Sequence, residues 1–354
     1  MAAMVGGDGA HSYAKNSGFQ RAVVDASKEL INESISEKLD LQILGFDASN
    51  KVVKIADLGC SVGPNTFFAV QNIIEAIELK FQNSSSLEFQ VFFNDQSQND
   101  FNTLFRSLPP SRNYFAAGVP GSFYDRLFPK SSLEFAHISN SLHWLSKVPK
   151  EVVDRNSPAW NKGSVQCSTG SSKEALRAYS AQFKSDIETF LTARAEEVVP
   201  GGLVFVLTAV VPDGIPISQT YAGAFYDVLG SCLNDLVKMG VLSEDKADSF
   251  NVPVYNPTPK ELEAILKTNK NFNLEKMEEL PQSITNAQIT PKGFALGGRA
   301  AIEGFIKNHF GDEFADQIFN HFITKVEANS SKIQEKKHNH LNMFITLKRV
   351  VNCK

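Results

Sequence analysis

The chain has 354 residues, which is enough to bury a large core as one enlarged domain or as two. Its 35 basic and 39 acidic side chains give a net charge of −4, and no basic stripe indicates nucleic-acid binding. The four cysteines lack zinc-ligand or pairing spacing, the first residues predict neither a secretory nor a transit signal, and no apolar run reaches the roughly 18 residues of a membrane span. The composition predicts a cytoplasmic protein that binds neither nucleic acid nor membrane.

The N-terminal part predicts a helix that precedes the first strand. Residues 1–11 are small and polar and are expected to be disordered without a ligand. Apolar residues follow at helical spacing from Phe19 to about Leu39, and Ser17 is a candidate N-cap. Gln20 falls in the first helical turn. It is either a solvated helix residue or a residue at the mouth of a site.

The stretch from Lys51 to Thr66 organises the chain. An apolar, β-branched run predicts a buried strand, a turn with Gly59 and Gly63 follows, and helical spacing resumes at Phe67. In an open α/β sheet, such a turn lies at the carboxyl edge of the strand, where ligands bind. The alternative is an ordinary β–α turn without a ligand.

Two acidic residues indicate which ligand this turn would take. The turn has one glycine fewer than the dinucleotide fingerprint, and Asp57 precedes it, which disfavours a phosphate and favours an amine. A second predicted strand, 87–93, ends in Asn94-Asp95, and an acid there can accept ribose hydroxyls. Alternatively, Asp95 caps a helix over 99–107. The two acids together favour an adenosyl ligand without phosphate, such as S-adenosylmethionine.

The next segments place further polar residues at strand ends. Residues 115–128 predict a rigid turn, after which Ser122 and Phe123 are placed to face the cofactor. Residues 133–139 predict a short strand that leads directly to Trp144. Trp144 is either a core residue or a ligand-binding indole at the sheet edge.

The second half adds helices to this alternating pattern. A long helix over 173–198 stops at Pro200-Gly201-Gly202, and a buried strand follows over 203–211. Beyond it the pattern predicts helices at 220–239, 257–268 and 298–331, strands at 272–280 and 343–350, and a loop at 282–297. The pattern predicts an α/β fold: a doubly wound, mostly parallel, Rossmann-like sheet with an inserted helical cap. The core would comprise 1–211, 269–283 and 341–354, and the cap 212–268 and 284–340.

Nine motifs occur in the order found in one family. They are SYAKNSGFQ, ADLGCSVGPNT, FNDQ, DFNTLF, GVPGSFYDRLFP, HWLSKVP, WNKG, EEVVPGG and DSFNVPVY. Across nearly its whole length the chain resembles the plant SABATH carboxyl methyltransferases. These enzymes use S-adenosylmethionine to esterify salicylate, jasmonate, indole-acetate, gibberellin, farnesoate or loganate, and the family also contains xanthine N-methyltransferases. The resemblance implies a homodimeric enzyme that makes a methyl ester from a small carboxylic acid.

The resemblance also implies a set of site residues. The cofactor would contact Tyr13, Ser17, Asp57, Cys60, Asn65, Asp95, Gln96, Ser122, Phe123 and Ser139. The Gln20 amide and the Trp144 indole N–H would hold the substrate carboxylate as the catalytic pair, with Tyr13, Asn140 and His143 lining the same pocket. A structural Mg²⁺ would be bound by Asn161, Asp248, the Phe250 carbonyl and Asn251, an oxygen set suited to a hard cation. The alternative for this last set is a simple turn.

A carboxylic acid substrate needs no catalytic base. Its pKa lies near 4–5, so it is already ionised at neutral pH, and positioning is the remaining task. His143 departs from the Met that salicylate enzymes carry there, so a longer terpenoid or oxylipin acid is expected rather than a benzoate. Two alternatives remain: N-methylation of a xanthine-type heterocycle, and ligand binding without turnover.

Overall fold

Seven strands form one sheet in the computed structural model, which describes residues 4–40, 42–44, 52–81, 87–281, 290–336 and 339–351. The sheet order is β3-β2-β1-β4-β5-β7-β6. The strands are β1 (Val52–Leu58), β2 (Glu88–Asp95), β3 (Phe115–Pro120), β4 (Leu133–Ser139), β5 (Val198–Val210), β6 (Phe272–Glu279) and β7 (Leu341–Arg349). Strands β1 to β5 are parallel, whereas β7 runs antiparallel to both of its neighbours.

Helices precede, connect and follow these strands. They are α1 (Tyr13–Asn16), α2 (Gly18–Ala26), α3 (Lys28–Lys38), α4 (Asn65–Lys80), α5 (Phe101–Arg106), α6 (Lys173–Glu197), α7 (Tyr221–Lys238), α8 (Glu244–Ser249), α9 (Pro259–Thr268), α10 (Pro291–Phe310), α11 (Asp312–Ala328) and α12 (Ser330–Glu335). None of these described helices is long and apolar enough to cross a membrane.

The strand order places a switch point between β1 and β4. The chain first builds outward from β1 through β2 to β3, and then returns to the opposite side of β1 for β4. Ligands bind where the order reverses, because the following loops diverge there and leave a crevice. Buried residues fill β4 and most of β5, as expected for parallel strands covered on both faces. The predicted fold class is confirmed.

Three hydrophobic clusters build the interior. Two of them cover the opposite faces of the sheet. The third joins α7, α8, α10 and α11 through aliphatic and aromatic side chains. Helix α9 contributes Leu262, Ile265 and Leu266 to a sheet cluster rather than to the third one. The division of the chain into core and cap stays a prediction.

Two predicted boundaries in the sheet were wrong. Residues Phe115–Pro120, predicted as a turn, form the edge strand β3 against β2, where glycine and proline are tolerated. Strand β5 begins at Val198 rather than at residue 203. Gly201 there has φ +84°, and the β4–β5 register shifts between Leu133 and Phe135 to absorb the extra residues.

Several predicted loop and helix boundaries also need correction. Helix α10 begins at Pro291, inside the predicted loop 282–297, and Thr290 accepts a capping bond from the Gly293 N–H. Helix α8 was not predicted, and the N-terminal helix is divided between α2 and α3. The cap of α5 is Asp100, which accepts from the Thr103 N–H, so Asp95 is not a helix cap. Residues 282–289 lie outside the described part of the chain.

A buried ion pair supports the loop that leads from β3 to β4. Arg194 and Glu197 at the end of α6 are both fully buried, with Nε and Oε2 2.7 Å apart. Arg194 also donates to the carbonyls of Phe123 and Asp125 at 2.6 and 2.8 Å. Glu197 Oε1 accepts from the Phe128 N–H at 2.9 Å. The pair therefore fixes the backbone around Phe123 from the interior.

Replacing Arg194 by Ala is expected to destabilise the protein strongly, because it leaves the Glu197 carboxylate buried without its cation. We expect a loss of about 3–5 kcal/mol in the free energy of unfolding, measured by chemical denaturation. Arg126→Ala is the control, since Arg126 forms a half-exposed pair with Glu196 at 3.0 Å. The loss in the free energy of unfolding caused by Arg126→Ala should stay below about 1 kcal/mol. Equal effects of the two substitutions would refute a supporting role of the buried pair.

Candidate active site

The turn after β1 is held by hydrogen bonds from β2. The N–H groups of Gly59 and Cys60 both donate to the Asn94 carbonyl, at 2.8 and 2.9 Å. Gly59 has φ +77°, and a Cβ atom there would lie 2.8 Å from Ser141 Cβ. Only glycine satisfies both conditions. The turn thus lies directly against the chain that follows β4.

Gly63 differs from Gly59 in backbone conformation and in surroundings. Its φ is not in the left-handed region, and a Cβ there would lie 3.4 Å from Ala14 Cα. Gly63 therefore lies next to α1, at a distance that a Cβ atom would fill with an ordinary contact. Asn65 Nδ2 donates to the Ser17 carbonyl and to Ser17 Oγ at 3.1 and 3.0 Å. The sequence predicted Ser17 as the N-cap of α2, but its side chain makes no capping hydrogen bond. It accepts from Asn65 instead and so connects this helix to the turn.

Asp95 stands at the end of β2 with both carboxylate oxygens facing backbone donors. The Ser61 N–H donates to Oδ2 and the Gln96 N–H to Oδ1, each at 2.7 Å. Burial raises the pKa of Asp95 to about 6, and the neighbouring Asp57 contributes in the same direction. Each oxygen keeps a further lone pair, so the ionised group can accept hydroxyl groups of a ligand.

Asp57 is more deeply buried than Asp95 and already has two side-chain partners. His137 Nδ1 lies 2.6 Å from Asp57 Oδ1, and Thr66 Oγ1 donates to Asp57 Oδ2. The first helical turn of α4 and the centre of β4 thereby hold the carboxylate in place. The contact predicted between Asp57 and a ligand amine stays a prediction.

Two small cavities flank this turn. Their volumes are about 30 and 50 Å³. Of the predicted cofactor residues, the first is lined by Tyr13, Asp57, Cys60, Asn65 and Ser139, and the second by Tyr13, Asp95, Gln96 and Phe123. Ser17 and Ser122 line neither. No lysine or arginine is among the lining residues, so this region suits an amine and a ribose rather than a phosphate.

A much larger cavity of about 420 Å³ adjoins these two. All five predicted substrate residues line it: Tyr13, Gln20, Asn140, His143 and Trp144. Gln20 Oε1 is buried and has no hydrogen-bond partner among the described residues. The Gln20 amide and the Trp144 indole are thus two neutral hydrogen-bonding groups of residues that line one cavity.

Trp144 is fixed by its backbone and by stacking. Its main chain forms a bridge with Val254, and its ring stacks on Phe305 at 5.5 Å with an interplanar angle of 5°. The Tyr124 hydroxyl donates to the Trp144 carbonyl at 2.7 Å. Trp144 is only 8% exposed, so the orientation of its ring is determined by packing before any ligand arrives.

His143 follows the same strand end and is neutral at physiological pH. Burial lowers its pKa to about 4, and nearby His340 adds to this shift. The pKa of His340 is likewise lowered to about 4 by burial. Both residues line the large cavity. Two uncharged imidazoles therefore lie in its wall.

Sequence reasoning missed several residues of this cavity. Asn256 precedes α9, His340 precedes β7, and Met4 lies in the N-terminal segment that was expected to be disordered. The Val5 N–H donates to the Ala300 carbonyl at 3.0 Å, so this segment is held against α10. No local pattern marks such residues, because only long-range packing brings them to the cavity.

The predicted magnesium ligands lie together, away from the cavity, and form hydrogen bonds with each other or with neighbouring residues. Asn161 Nδ2 donates to Asn251 Oδ1 at 2.9 Å, and Asn161 Oδ1 accepts from Ser171 Oγ at 2.9 Å. The Gly163 N–H donates to Asp248 Oδ1 at 3.2 Å. One side-chain oxygen of each of Asn161, Asn251 and Asp248 thus accepts a hydrogen bond from the protein.

The donor set fits a hydrogen-bonded turn better than a cation. The side-chain atom left without a partner is Asn251 Nδ2, which is a donor and cannot bind a cation. The Phe250 ring packs against Phe310 at 5.2 Å, and Lys162 Nζ lies 3.8 Å from Asp248 Oδ2. In the described ranges, no three acidic, His or Cys side chains are grouped to hold a metal. The magnesium site stays a prediction without support.

Comparison with known proteins relates the chain to one enzyme family. Residues 1–350 match the family model described as SAM dependent carboxyl methyltransferase. A loganic acid O-methyltransferase from Catharanthus roseus is 44% identical over 351 residues, covering 99% of this chain and 94% of that protein. Paraxanthine methyltransferase 2 from Arabidopsis thaliana is 42% identical over 340 residues, covering 94% of each.

A solved structure extends the similarity to three dimensions. A loganic acid methyltransferase solved with SAH superimposes with a TM-score of 0.94 at 44% identity, covering 99% of both chains. The similarity thus spans nearly the whole length of both chains. These comparisons identify S-adenosylmethionine as the co-substrate.

Affinity for the co-substrate is expected to fall as the pH drops through about 6, where free Asp95 becomes protonated. A protonated carboxyl offers fewer acceptor lone pairs to ribose hydroxyls, so the affinity is lower at acidic pH. Calorimetry with S-adenosylhomocysteine between about pH 5 and about pH 8 measures this. Asp95→Asn should bind weakly throughout and lose the dependence. An unchanged affinity in this variant would remove Asp95 from the ribose site.

Proposed function

Because the chain belongs to the family of S-adenosylmethionine-dependent carboxyl methyltransferases, we propose that it esterifies a small-molecule carboxylic acid. The acid would be a plant hormone or a specialised metabolite, and the product its methyl ester. The observation that carries the proposal is that two neutral hydrogen-bond donors, the side chains of Gln20 and Trp144, line the large cavity together. A carboxylate would accept one hydrogen bond from the Gln20 Nε2 amide and one from the Trp144 indole N–H.

The proposed chemistry consists of orientation rather than proton transfer. S-adenosylmethionine supplies a methyl group attached to a positively charged sulfur. The Gln20 amide and the Trp144 indole N–H would each donate to the carboxylate and direct one oxygen toward that methyl group. Such alignment is worth several kcal/mol. Because Trp144 is held by Phe305 and Val254, little ordering remains to be done on binding.

Neutral donors suit this reaction better than a cation. The negative charge of the carboxylate disappears as the ester forms, so a cation beside it would stabilise the bound acid more than the transition state. Among the described residues that line the cavity, Lys15 is the one charged side chain, and it is exposed. His143 and His340 are neutral. Aromatic side chains such as Phe225 and Phe294 line the remainder and would exclude water.

The cavity size favours a longer acid over a simple benzoate. A volume of about 420 Å³ falls within the roughly 300–1,000 Å³ typical of drug-sized ligands. We retain a terpenoid or oxylipin acid as the proposed substrate class. Homodimer formation and a cytoplasmic location are likewise proposals, which gel filtration and fractionation can test.

An N-methyltransferase of xanthine-type heterocycles is the second candidate function. It is favoured by the relative named for paraxanthine, whose identity to this chain is 42%, close to the 44% of the relative named for loganic acid. A panel of acids and a panel of xanthines, each with labelled S-adenosylmethionine, separate the two. Ligand binding without any S-adenosylhomocysteine formed would instead support a non-catalytic protein.

Gln20→Ala and Trp144→Phe are each expected to lower kcat/KM for the acid about 10- to 100-fold, the value of a hydrogen bond to a charged group. The KM for S-adenosylmethionine should change little. Trp160→Phe is the control, because Trp160 lies in a surface loop near Arg155 and Lys162. Wild-type activity in both cavity variants would contradict the carboxylate-binding role.

At saturating S-adenosylmethionine, kcat is expected to stay constant from about pH 6 to about pH 9, since the acid is ionised throughout. His143, with a pKa lowered to about 4, remains neutral across that range and accepts no proton from the substrate. A pH–rate profile with an acidic limb near pH 7 would instead indicate a general base.

A further inference from the structure

A histidine is buried beside aromatic side chains in the middle of the sheet. His137 lies on β4 and is only 1% exposed. On the same face lie Phe135, two residues earlier in the strand, and Phe205, the register partner of His137 on β5. Burying an imidazole at such a position is costly unless it forms a hydrogen bond.

The partner of His137 is Asp57, which lies opposite it on β1. The two residues are register partners in parallel strands, so both side chains are on one face of the sheet. His137 Nδ1 lies 2.6 Å from Asp57 Oδ1. Because a carboxylate only accepts hydrogen bonds, Nδ1 carries the hydrogen and is the donor. This bond offsets the cost of burying the imidazole.

His137 lies in the wall of the first small cavity, but neither of its ring nitrogens is available to a ligand there. Nδ1 is bonded to Asp57, and Nε2 is inaccessible to water. The Asp57 side chain, which lines the same cavity, is 5% accessible. An effect of His137 on a ligand in that cavity is therefore transmitted by Asp57.

Both oxygens of Asp57 are fixed by side-chain donors. Thr66 Oγ1 donates to Oδ2 from the first turn of α4, and His137 donates to Oδ1 from β4. Each oxygen keeps a lone pair for a further donor. A hydroxyl and an imidazole N–H hold the carboxylate without the permanent charge that lysine or arginine would bring. The negative charge of Asp57 thus remains available to a cationic amine.

We infer that His137 is a positioning residue of the co-substrate site, which orients the Asp57 carboxylate toward the ammonium group of S-adenosylmethionine. It touches neither the co-substrate nor the methyl acceptor. A carboxylate that is already fixed loses little conformational freedom on binding, so the bond raises the affinity for the co-substrate. The inference builds on the expected contact between Asp57 and the amine, and it is independent of which group the enzyme methylates.

The test is a double-mutant cycle on the full-length protein, with binding measured by calorimetry. The ligands are S-adenosylhomocysteine and its analogue with hydrogen in place of the amino group. His137→Leu should weaken binding of S-adenosylhomocysteine about tenfold, and Asp57→Asn at least tenfold. The double variant should bind no more weakly than Asp57→Asn alone, because His137 acts through Asp57. The analogue should bind wild type and all variants alike, since it has no amine.

A conservative variant and a control accompany the cycle. His137→Asn should restore most of the affinity, because an asparagine amide can donate from near the position of Nδ1. Thr346→Val is the matched control, since it removes another buried hydrogen bond of the sheet, 2.9 Å long, between Thr346 Oγ1 and Ser34 Oγ. It should bind S-adenosylhomocysteine like the wild type. His137→Phe takes the place of His137→Leu in the cycle if the latter does not fold.

Three results would overturn the inference. Additive losses in the double variant would show that His137 acts independently of Asp57. An equal loss of S-adenosylhomocysteine and of the analogue in His137→Leu would assign His137 to the folding of the site as a whole. Unchanged affinity in Asp57→Asn would remove the amine contact on which the inference builds.

These measurements need no methyl acceptor, so they are separate from the proposed esterification. If the cycle fails while methyl esters still form in the acid panel, the positioning role of His137 fails and the proposed function stands. If the cycle gives the expected result but no acid is esterified, the proposed function fails and the positioning role stands.

Discussion

The site depends on one buried residue at the end of β2. The Asn94 carbonyl accepts from the N–H groups of Gly59 and Cys60, and its side-chain amide donates to the carbonyls of Val119 and Gly121 at 2.8 and 3.0 Å. A single residue thus joins the turn after β1 to the turn after β3. Because Asn94 is inaccessible to water, these bonds are not in competition with solvent. The edges of the co-substrate region are consequently fixed by the sheet and require no ligand to form.

The small cavities and the large cavity differ in the charge of the groups that line them. Asp57 and Asp95 face the small cavities without a lysine or arginine, which suits a ligand with an amine and hydroxyl groups. The large cavity presents neutral donors and acceptors instead, with both imidazoles held uncharged by burial. An ionised acid would therefore be bound by hydrogen bonds alone. No cation then stabilises the charge of the bound acid, and the transition state, in which that charge is partly neutralised, loses no such attraction.

Local patterns predicted the strands and the long helices well, because the apolar spacing of β1, β4, α4 and α6 directly reflects burial. They failed at β3, an edge strand containing Gly118 and Pro120, and at β5, where a glycine bulge lies inside the strand. All five substrate residues inferred from the resemblance meet at one cavity. Asn256 and His340 escaped prediction because their positions depend on how distant segments pack. The resemblance implied an ion site around Asn161, whereas in the structure Asn161 Nδ2 donates to Asn251 Oδ1 and Ser171 Oγ donates to Asn161 Oδ1.

The most direct test is a crystal structure of the protein with S-adenosylhomocysteine and an esterified acid from a substrate panel. The account predicts that one carboxylate group receives hydrogen bonds from the Gln20 amide and the Trp144 indole N–H, with an oxygen directed at the sulfur of the cofactor product. A carboxylate bound by Lys15 or another cation, with Gln20 and Trp144 turned away from it, would contradict the account.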